Sequence, residues 1–546
     1  NQFRLSITMN NIINSTELWS EHWEENSDNL SQVKNEIIVK ILESLGIDIP
    51  EELKKQAAKE QAIDPHAYEL LMKAKYAYIN ASNASDLDIA AALFKQAYEI
   101  QPSYITARNF YAVIQFRLKK IDKAILILEE AENIGKQNKD EIGLANIYES
   151  FGIIYKQMGK YAKAINYLKE GLRITTNNEI LSREANILNT LGQCYTQMSQ
   201  FEAASEYLKR SISIKRQLDR PEIEISNSVA NLSDVHKRIG DYAKALSLRE
   251  ESIEMVRGAS QVQLGRSIMS YANLLYYIGR TEKAHTKYLE ALELCKKLKD
   301  SAALGMIYRH LGLIELNNTD PEKAIKYLIQ ANQTHQESKH QIAMDTTTLF
   351  LAQAYLQNND LVNATKYIDQ AVMLTNRRRH ADKTKSFDEY YTLPSRCVQA
   401  LINAKKGDGS NHELDQILEE IKTLHQDKHK GRELWWLSQS YYLIKDFKHS
   451  QECQKLAQDE LYRKADRIRD EKIKKDYLEL PPLHKEIFMK IEDIPLLCDI
   501  NKVTDVEEQI SSESKDQVIY KFCPACGFNN ENSFKFCPGC GNSLTS

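Results

Sequence analysis

Four cysteines near the end of the chain have the spacing for metal chemistry: Cys523-Pro-Ala-Cys526-Gly527 and Cys537-Pro-Gly-Cys540-Gly541, with ten residues between the inner pair. A two-residue spacer lets both sulfurs of a turn address one ion, and the glycine after each pair frees the backbone to curl its amides toward the thiolates. Four thiolates so placed close a tetrahedral site. The expectation is therefore one structural Zn2+, without catalysis, which needs an open coordination position. The other cysteines, Cys194, Cys295, Cys397, Cys453 and Cys498, stand singly. Scattered thiols of that kind fit a reducing compartment, and the chain reads as cytoplasmic.

A basic run, Arg377, Arg378, Arg379 and His380, could touch phosphate. Isolated charge clusters usually face water, so a solvated loop is the first reading of residues 377–392. No phosphate-cradling or hydrolase motif occurs, and His236 and His310 sit in repeated helical segments, so no catalytic residue and no cofactor-binding residue beyond the cysteines is assigned. Lys plus Arg total 72 against 76 Asp plus Glu, which leaves no global field to hold nucleic acid. No apolar run approaches the roughly 18 residues of a membrane span.

The polar residues with a recognition pattern belong to a repeat. Small side chains recur at Ala124, Ala164, Ala204, Ala245, Ala284, Ala324 and Ala364, near a 40-residue period, preceded by Ala90. Seven residues after each anchor stands a second small residue: Ala97, Ala131, Gly171, Ser211, Ser252, Ala291, Ala331 and Ala371. Seven residues are about two helical turns, so each pair shares a face and admits a close neighbour. Five residues before the anchor come Gly159, Ser199, Gly240, Gly279 and Asn359, several of which tolerate the left-handed conformation that ends a helix. Each unit thus reads as helix, tight turn, helix. Stacking such units leaves a concave face for a partner.

Residues 14, 11 and 7 before each anchor fall on one side of the first helix. They are Ser150 and Gln157; Thr190, Gln193 and Gln197; Asn231, Asp234 and Arg238; Ser270 and Asn273; His310 and Asn317; Gln353 and Gln357. Amide side chains carry both donors and an acceptor and can hold the backbone of an extended peptide. A merely solvated helix face is the competing reading, since surface helices are polar by default.

The spacing resembles the tetratricopeptide repeat, whose Leu-Gly pair appears as Phe151-Gly152, Leu191-Gly192 and Leu311-Gly312, with Pro102 closing a 34-residue unit. The 40-residue form is similar to kinesin-light-chain-like arrays. The resemblance implies a mainly α, right-handed superhelix (an α-solenoid) over 50–376, whose groove lining is the residue set above. Leu437, Tyr441, Ser450 and Ala457 repeat the offsets, and a degenerate unit is expected near 393–425, so further repeats fill 393–480.

Around the array, Phe3, Leu5, Ile7 and Met9 alternate with polar residues as a strand, and Glu17 to Trp23 can return as a second. A helix from about 28 to 45, ended by Gly46, follows. Two strands and one helix cannot bury a sheet, which suggests that residues 1–49 are the end of a truncated α/β segment. Glu17-Leu18-Trp19-Ser20-Glu21, with Leu30 to Ile37 and Asp64 to Leu70, resembles the close of the TolB-like segment of large bacterial signalling proteins. Tyr477 to His484 is similar to the exit helix of the same family. That resemblance implies a class III adenylate or guanylate cyclase upstream of Asn1, or a serine/threonine kinase, with this chain as its regulatory region. Residues 481–520 read as an exit segment and polar linker, and 521–546 resemble the short zinc ribbon of bacterial and archaeal regulatory proteins. The ribbon offers only Lys521 and Lys535 as cations, so protein contact is preferred to a nucleic-acid grip through it and Arg377 to Arg379. The partner expected is a protein or peptide.

Overall fold

A computed structural model describes residues 2–10, 17–26, parts of 33–41, 64–81, 84–318, 320–338, 341–381, 392–423 and 430–491. The four terminal cysteines, the polar linker from 492 on, and residues 382–391 of the expected loop lie outside the described residues.

Strands β1 (Gln2–Asn10) and β2 (Glu17–Asn26) pair antiparallel in the expected places, with Leu5 opposite Trp23 and Met9 opposite Trp19. Trp23 is buried and donates its indole N–H to Glu36 at 3.2 Å.

The remaining described elements are helices, and the first sixteen form eight consecutive pairs, each a first (A) and second (B) helix. The A helices are α1 (Pro65–Ile79), α3 (Ile105–Arg117), α5 (Glu141–Gln157), α7 (Leu181–Gln197), α9 (Glu222–Arg238), α11 (Gln261–Tyr277), α13 (Ser301–Asn317) and α15 (Gln341–Gln357). Their B partners are α2 (Ala84–Ile100), α4 (Ile121–Gln137), α6 (Tyr161–Asn177), α8 (Phe201–Gln217), α10 (Tyr242–Arg257), α12 (Thr281–Lys297), α14 (Pro321–Glu337) and α16 (Leu361–Ala381). Then follow α17 (Leu393–Lys406), α18 (Asn411–Thr423), α19 (Gly431–Leu443), α20 (Phe447–Ala465), α21 (Glu471–Glu479) and α22 (Pro482–Phe488). The architecture is the mainly α solenoid that the spacing predicts.

Local chemistry explains the pairs. Asp64, Asp140, Asp241 and Asp320 cap helices by accepting backbone N–H bonds, for example Gly143 N to Asp140 at 2.9 Å. All sixteen small positions are buried, from Ala90 and Ala97 to Ala364 and Ala371. The Leu-Gly pairs have a common cause: a Cβ on Gly152, Gly192 or Gly312 would come within 2.4–2.6 Å of Leu168, Leu208 or Leu328 on the B helix. Ser233 takes the same place in the next pair and donates its hydroxyl to Ala245 O at 2.7 Å. Tyr155, Tyr195 and Tyr355 each stack on a B-helix tyrosine at 5.3–5.6 Å, and their carbonyls accept the N–H of the residue that opens the B helix.

The turns within each pair contain Gly159, Ser199, Gly240, Gly279 and Asn359 at positive φ, as the pattern predicts. Lys139, Glu179, Asp219 and Lys299 also adopt positive φ between pairs, where no residue type announces it. One boundary differs from the sequence reading. The basic run is helical, because α16 continues to Ala381; arginine is a good helix former, and cations at a helix C-terminus oppose the dipole. The stretch expected to hold degenerate repeats contains the helices α17 to α20.

The described residues fall into two compact units. One comprises residues up to Ile307 together with Ala465–Tyr477, and the other comprises Tyr308–Lys464 with the residues from Leu478 on. The first holds a continuous apolar core from Ala67 to Leu248. The second has a smaller cluster around Leu316, Leu328, Phe350 and Leu351.

Candidate functional site

In the first unit α3, α5, α7, α9 and α11 touch one another in sequence order, and side chains at several of these contacts form polar rungs. Lys156 on α5 donates to Gln193 Oε1 on α7 at 2.5 Å, and Arg183 on α7 pairs with Glu149 on α5 at 2.6 Å. Asn231 on α9 donates its amide to Asn189 Oδ1 on α7 at 2.9 Å, while Arg238 donates to Gln197 at 3.0 Å. Gln263 on α11 reaches back to Asn227 on α9 at 3.1 Å. Within single pairs, Arg249 holds Asp234 at 2.6 Å and the Tyr288 hydroxyl donates to Asn273 at 2.5 Å.

The structure therefore brings together Gln193, Gln197, Asn231 and Arg238 on one ladder, while Asp234 and Asn273 bond within their own pairs. Gln157 is exposed at the end of α5. Ser150 and Thr190 are buried, and Thr190 donates its hydroxyl back to Asn186 O at 3.1 Å, so neither offers a ligand much surface. Ser270 is half-buried and bonds Arg266 O of its own helix at 3.0 Å. His310, Asn317, Gln353 and Gln357 belong to the second unit and are half-buried there. The amide oxygens of Gln353 and Gln357 are buried without a hydrogen-bond partner.

Two groups escaped the sequence reading. Lys156, Asn189 and Lys237 complete the ladder one or a few residues away from the positions chosen by offset, and the amide pattern alone does not select them. The second group is a return of the chain. Residues 465–477 dock on the turns of the fifth and sixth pairs, where Arg469 N donates to Gly240 O at 3.2 Å. Arg280 meets Asp476 at 3.0 Å. Ile468, Ile473 and Tyr477 are buried there, as are Tyr242 and Ile278. Burial next to Tyr277 pushes the Tyr242 phenol well above its ordinary range.

Cys194, Cys295, Cys397 and Cys453 are reduced and buried, and burial pushes the thiols of Cys194 and Cys295 up to about 11. Such thiols are inert packing groups. Among the described residues no group of His, Cys, Asp or Glu could hold a metal ion, and no helix is long and apolar enough to cross a membrane.

Residues 103–177 and 224–297 match one family described as tetratricopeptide repeat, and residues 185–218 match a second of the same description. No curated protein matches the sequence. Among solved structures, a Rap protein complexed with competence and sporulation factor is 13% identical, with a TM-score of 0.47 over 73% of this chain and 99% of that one. The tetratricopeptide-repeat sensor protein PH0952 of Pyrococcus horikoshii, a signal transduction ATPase with numerous domains, is 16% identical, with a TM-score of 0.48 over 74% and 64% of the two chains. The apo quorum sensor NprR of B. thuringiensis is 14% identical, with a TM-score of 0.44 over 64% and 99%. The class that repeat and fold define is a tetratricopeptide-repeat solenoid. Proteins of this architecture present stacked helical pairs as interaction surfaces.

Proposed function

We propose that the chain is a protein–protein interaction scaffold whose first unit holds an extended peptide or protein segment along the A-helix face. One observation carries this reading. Because the Asn231 amide is engaged with the Asn189 carbonyl, the pair presents one remaining carbonyl and one remaining amide, the acceptor and donor that a residue of extended backbone requires. The neighbouring rungs hold that pair in place, so little side-chain order is lost on binding. The test is selection of 12-residue peptides from a random library on the full chain. Selected peptides should lose at least tenfold in affinity for Asn189→Ala/Asn231→Ala. Equal binding by the double variant removes the assignment.

In the intact polypeptide we read this scaffold as the regulatory region of a signalling adenylate or guanylate cyclase. Its support is the resemblance of Glu17 to Glu21 and Asp64 to Leu70 to the TolB-like segment of such proteins. Sequence upstream of the Asn1 codon tests it: paired metal-binding aspartates support a cyclase, and a kinase catalytic loop replaces that reading with the serine/threonine kinase alternative. Cys523, Cys526, Cys537 and Cys540 are an all-thiolate donor set that suits one structural Zn2+. The bound ion would cross-link the tail.

A further inference from the structure

The β1–β2 hairpin has two edges of opposite character. Among the described residues the sheet holds two strands, so each presents one row of backbone N–H and C=O groups with no strand beyond it. Such a row is a template for another strand unless charged side chains blunt it. The β2 edge is blunted, because Glu17, Glu21, Glu24 and Glu25 lie along it. β1 carries a single charge, Arg4, and its guanidinium is drawn to Glu24 on β2 at 2.7 Å.

Two further features leave β1 open to a neighbour. Its exposed face is held in place by side-chain rungs to β2: besides Arg4–Glu24, Ser6 meets His22 at 2.8 Å and Thr8 meets Ser20 at 2.9 Å. The opposite face is partly covered. Helical residues between 33 and 41 contact β2 through Trp23–Glu36 and the Lys40–Glu21 pair, and Trp23 and Val33 are buried there. Leu5, Ile7 and Met9 on β1 stay half-buried. A strand beyond β1 would complete their cover.

We propose that this strand is β1 of a second copy of the chain, paired antiparallel about a twofold axis. β1 is complementary to itself. Side chains alternate between faces, so the apolar face continues across the pair in registers that set odd residues opposite odd ones. Of these, the register with Ser6 on the axis overlaps the whole strand. It sets Leu5 opposite Ile7 of the other copy and Arg4 opposite Thr8, and symmetry makes each contact twice. Moving the axis to Arg4 would face two guanidinium groups, and pairing through β2 would crowd its glutamates. The result is one four-stranded sheet in the order β2–β1–β1–β2, where two strands alone are marginal.

Sedimentation equilibrium of the full chain tests this at position 8, which is exposed in the single chain and faces a cation in the pair. Wild type should form dimers at concentrations up to about 100 μM, a range suited to a small interface. Thr8→Arg opposes like charges twice and should weaken the dimer about fivefold, whereas Thr8→Glu should tighten it about fivefold, with the gain fading in high salt. Ser20→Arg, on the same face of β2 but one strand further from the axis, should leave the dimer at the wild-type value. A damaged hairpin cannot tighten a dimer, so the Glu variant separates loss of pairing from loss of fold. A chain that stays monomeric overturns the inference and gives the edge to a strand from elsewhere in the intact polypeptide. A dimer that both Thr8 variants leave unchanged or shift in the same direction, or that Ser20→Arg weakens as much as Thr8→Arg does, also overturns it, because its contact then lies away from the β1 edge.

Discussion

Gly240→Ala is the sharpest test of how the chain returns to its own first unit. Gly240 sits at φ +81°, and a Cβ there would lie 1.8 Å from the carbonyl oxygen of Arg467, a backbone atom that cannot step aside alone. Gly159 occupies the equivalent turn at φ +74° with nothing within 4 Å of its would-be Cβ. Both alanine variants therefore carry the left-handed strain of about 1–2 kcal/mol. Only Gly240→Ala must also push residues 465–477 away. At stake are the Arg469–Gly240 hydrogen bond, the Arg280–Asp476 pair and the burial of Ile468 and Ile473. A hydrogen bond contributes about 1 kcal/mol, and burying an isoleucine about 1.5–3 kcal/mol. If the displaced segment keeps part of that burial, the added loss is on the order of 2 kcal/mol, or roughly 30-fold more opening. Trypsin reads opening directly, because cleavage after Arg467 and Arg469 follows the population in which their backbone is released. We expect cleavage there to rise about 30-fold in Gly240→Ala and to stay at the wild-type rate in Gly159→Ala. Equal rates in the two variants would refute the docking argument.

Four further outcomes follow from the packing and charge. Ala284→Leu inserts a large side chain at a fully buried contact and should lower unfolding stability in urea by about 1–3 kcal/mol; a neutral result would mean that the small positions do not set the helix approach. Glu184 is buried and pairs with the half-exposed Arg210, so Arg210→Ala should destabilise more than Glu184→Gln, since only the former strands a buried charge; the reverse order, measured by denaturation, contradicts this. Hydrogen bonding from Arg266, against a smaller opposing effect of burial, holds the Asp300 carboxyl below its usual range. That stability is complete above the unfolded carboxylate value of about 4 and disappears as pH falls through the lower folded value; Asp300→Asn should flatten this acid limb of the thermal-melt profile, and an unchanged limb would remove Asp300 as its source. Chelation should release about one zinc per chain and leave the far-UV helical signal intact; a collapse of helicity would tie the array to the metal.

Much of the solenoid was legible because its packing rule is written in residue size. Ala164, Gly171, Ala204 and Ser211 must be small where helices touch, so their period displays the architecture. The turns were half legible. Gly159 and Gly240 advertise a left-handed residue, but Lys139, Glu179, Asp219 and Lys299 are forced into that region by the helices on either side. The docked return was invisible, since Arg280 and Asp476 are 196 residues apart and no local pattern links them. In the site, helical offsets found Gln193, Gln197, Asn231 and Arg238 because ladder positions repeat with the unit. The same offsets chose Ser150 and Thr190, which pack inward, because a three-residue stripe is wider than the accessible edge of a helix clamped between neighbours. Lys156 and Lys237 were passed over because their partners, the Gln193 carbonyl and the Tyr277 ring, come from the following A helix, and no local pattern links them.

The central claim is that the A-helix face of the first unit receives the ligand. A library-selected peptide carrying a photo-crosslinker, irradiated on the full chain and mapped by mass spectrometry, examines it directly. Adducts on α5, α7 and α9 are the predicted result. Adducts confined to α6, α8 and α10, with the A helices unmarked, would contradict it.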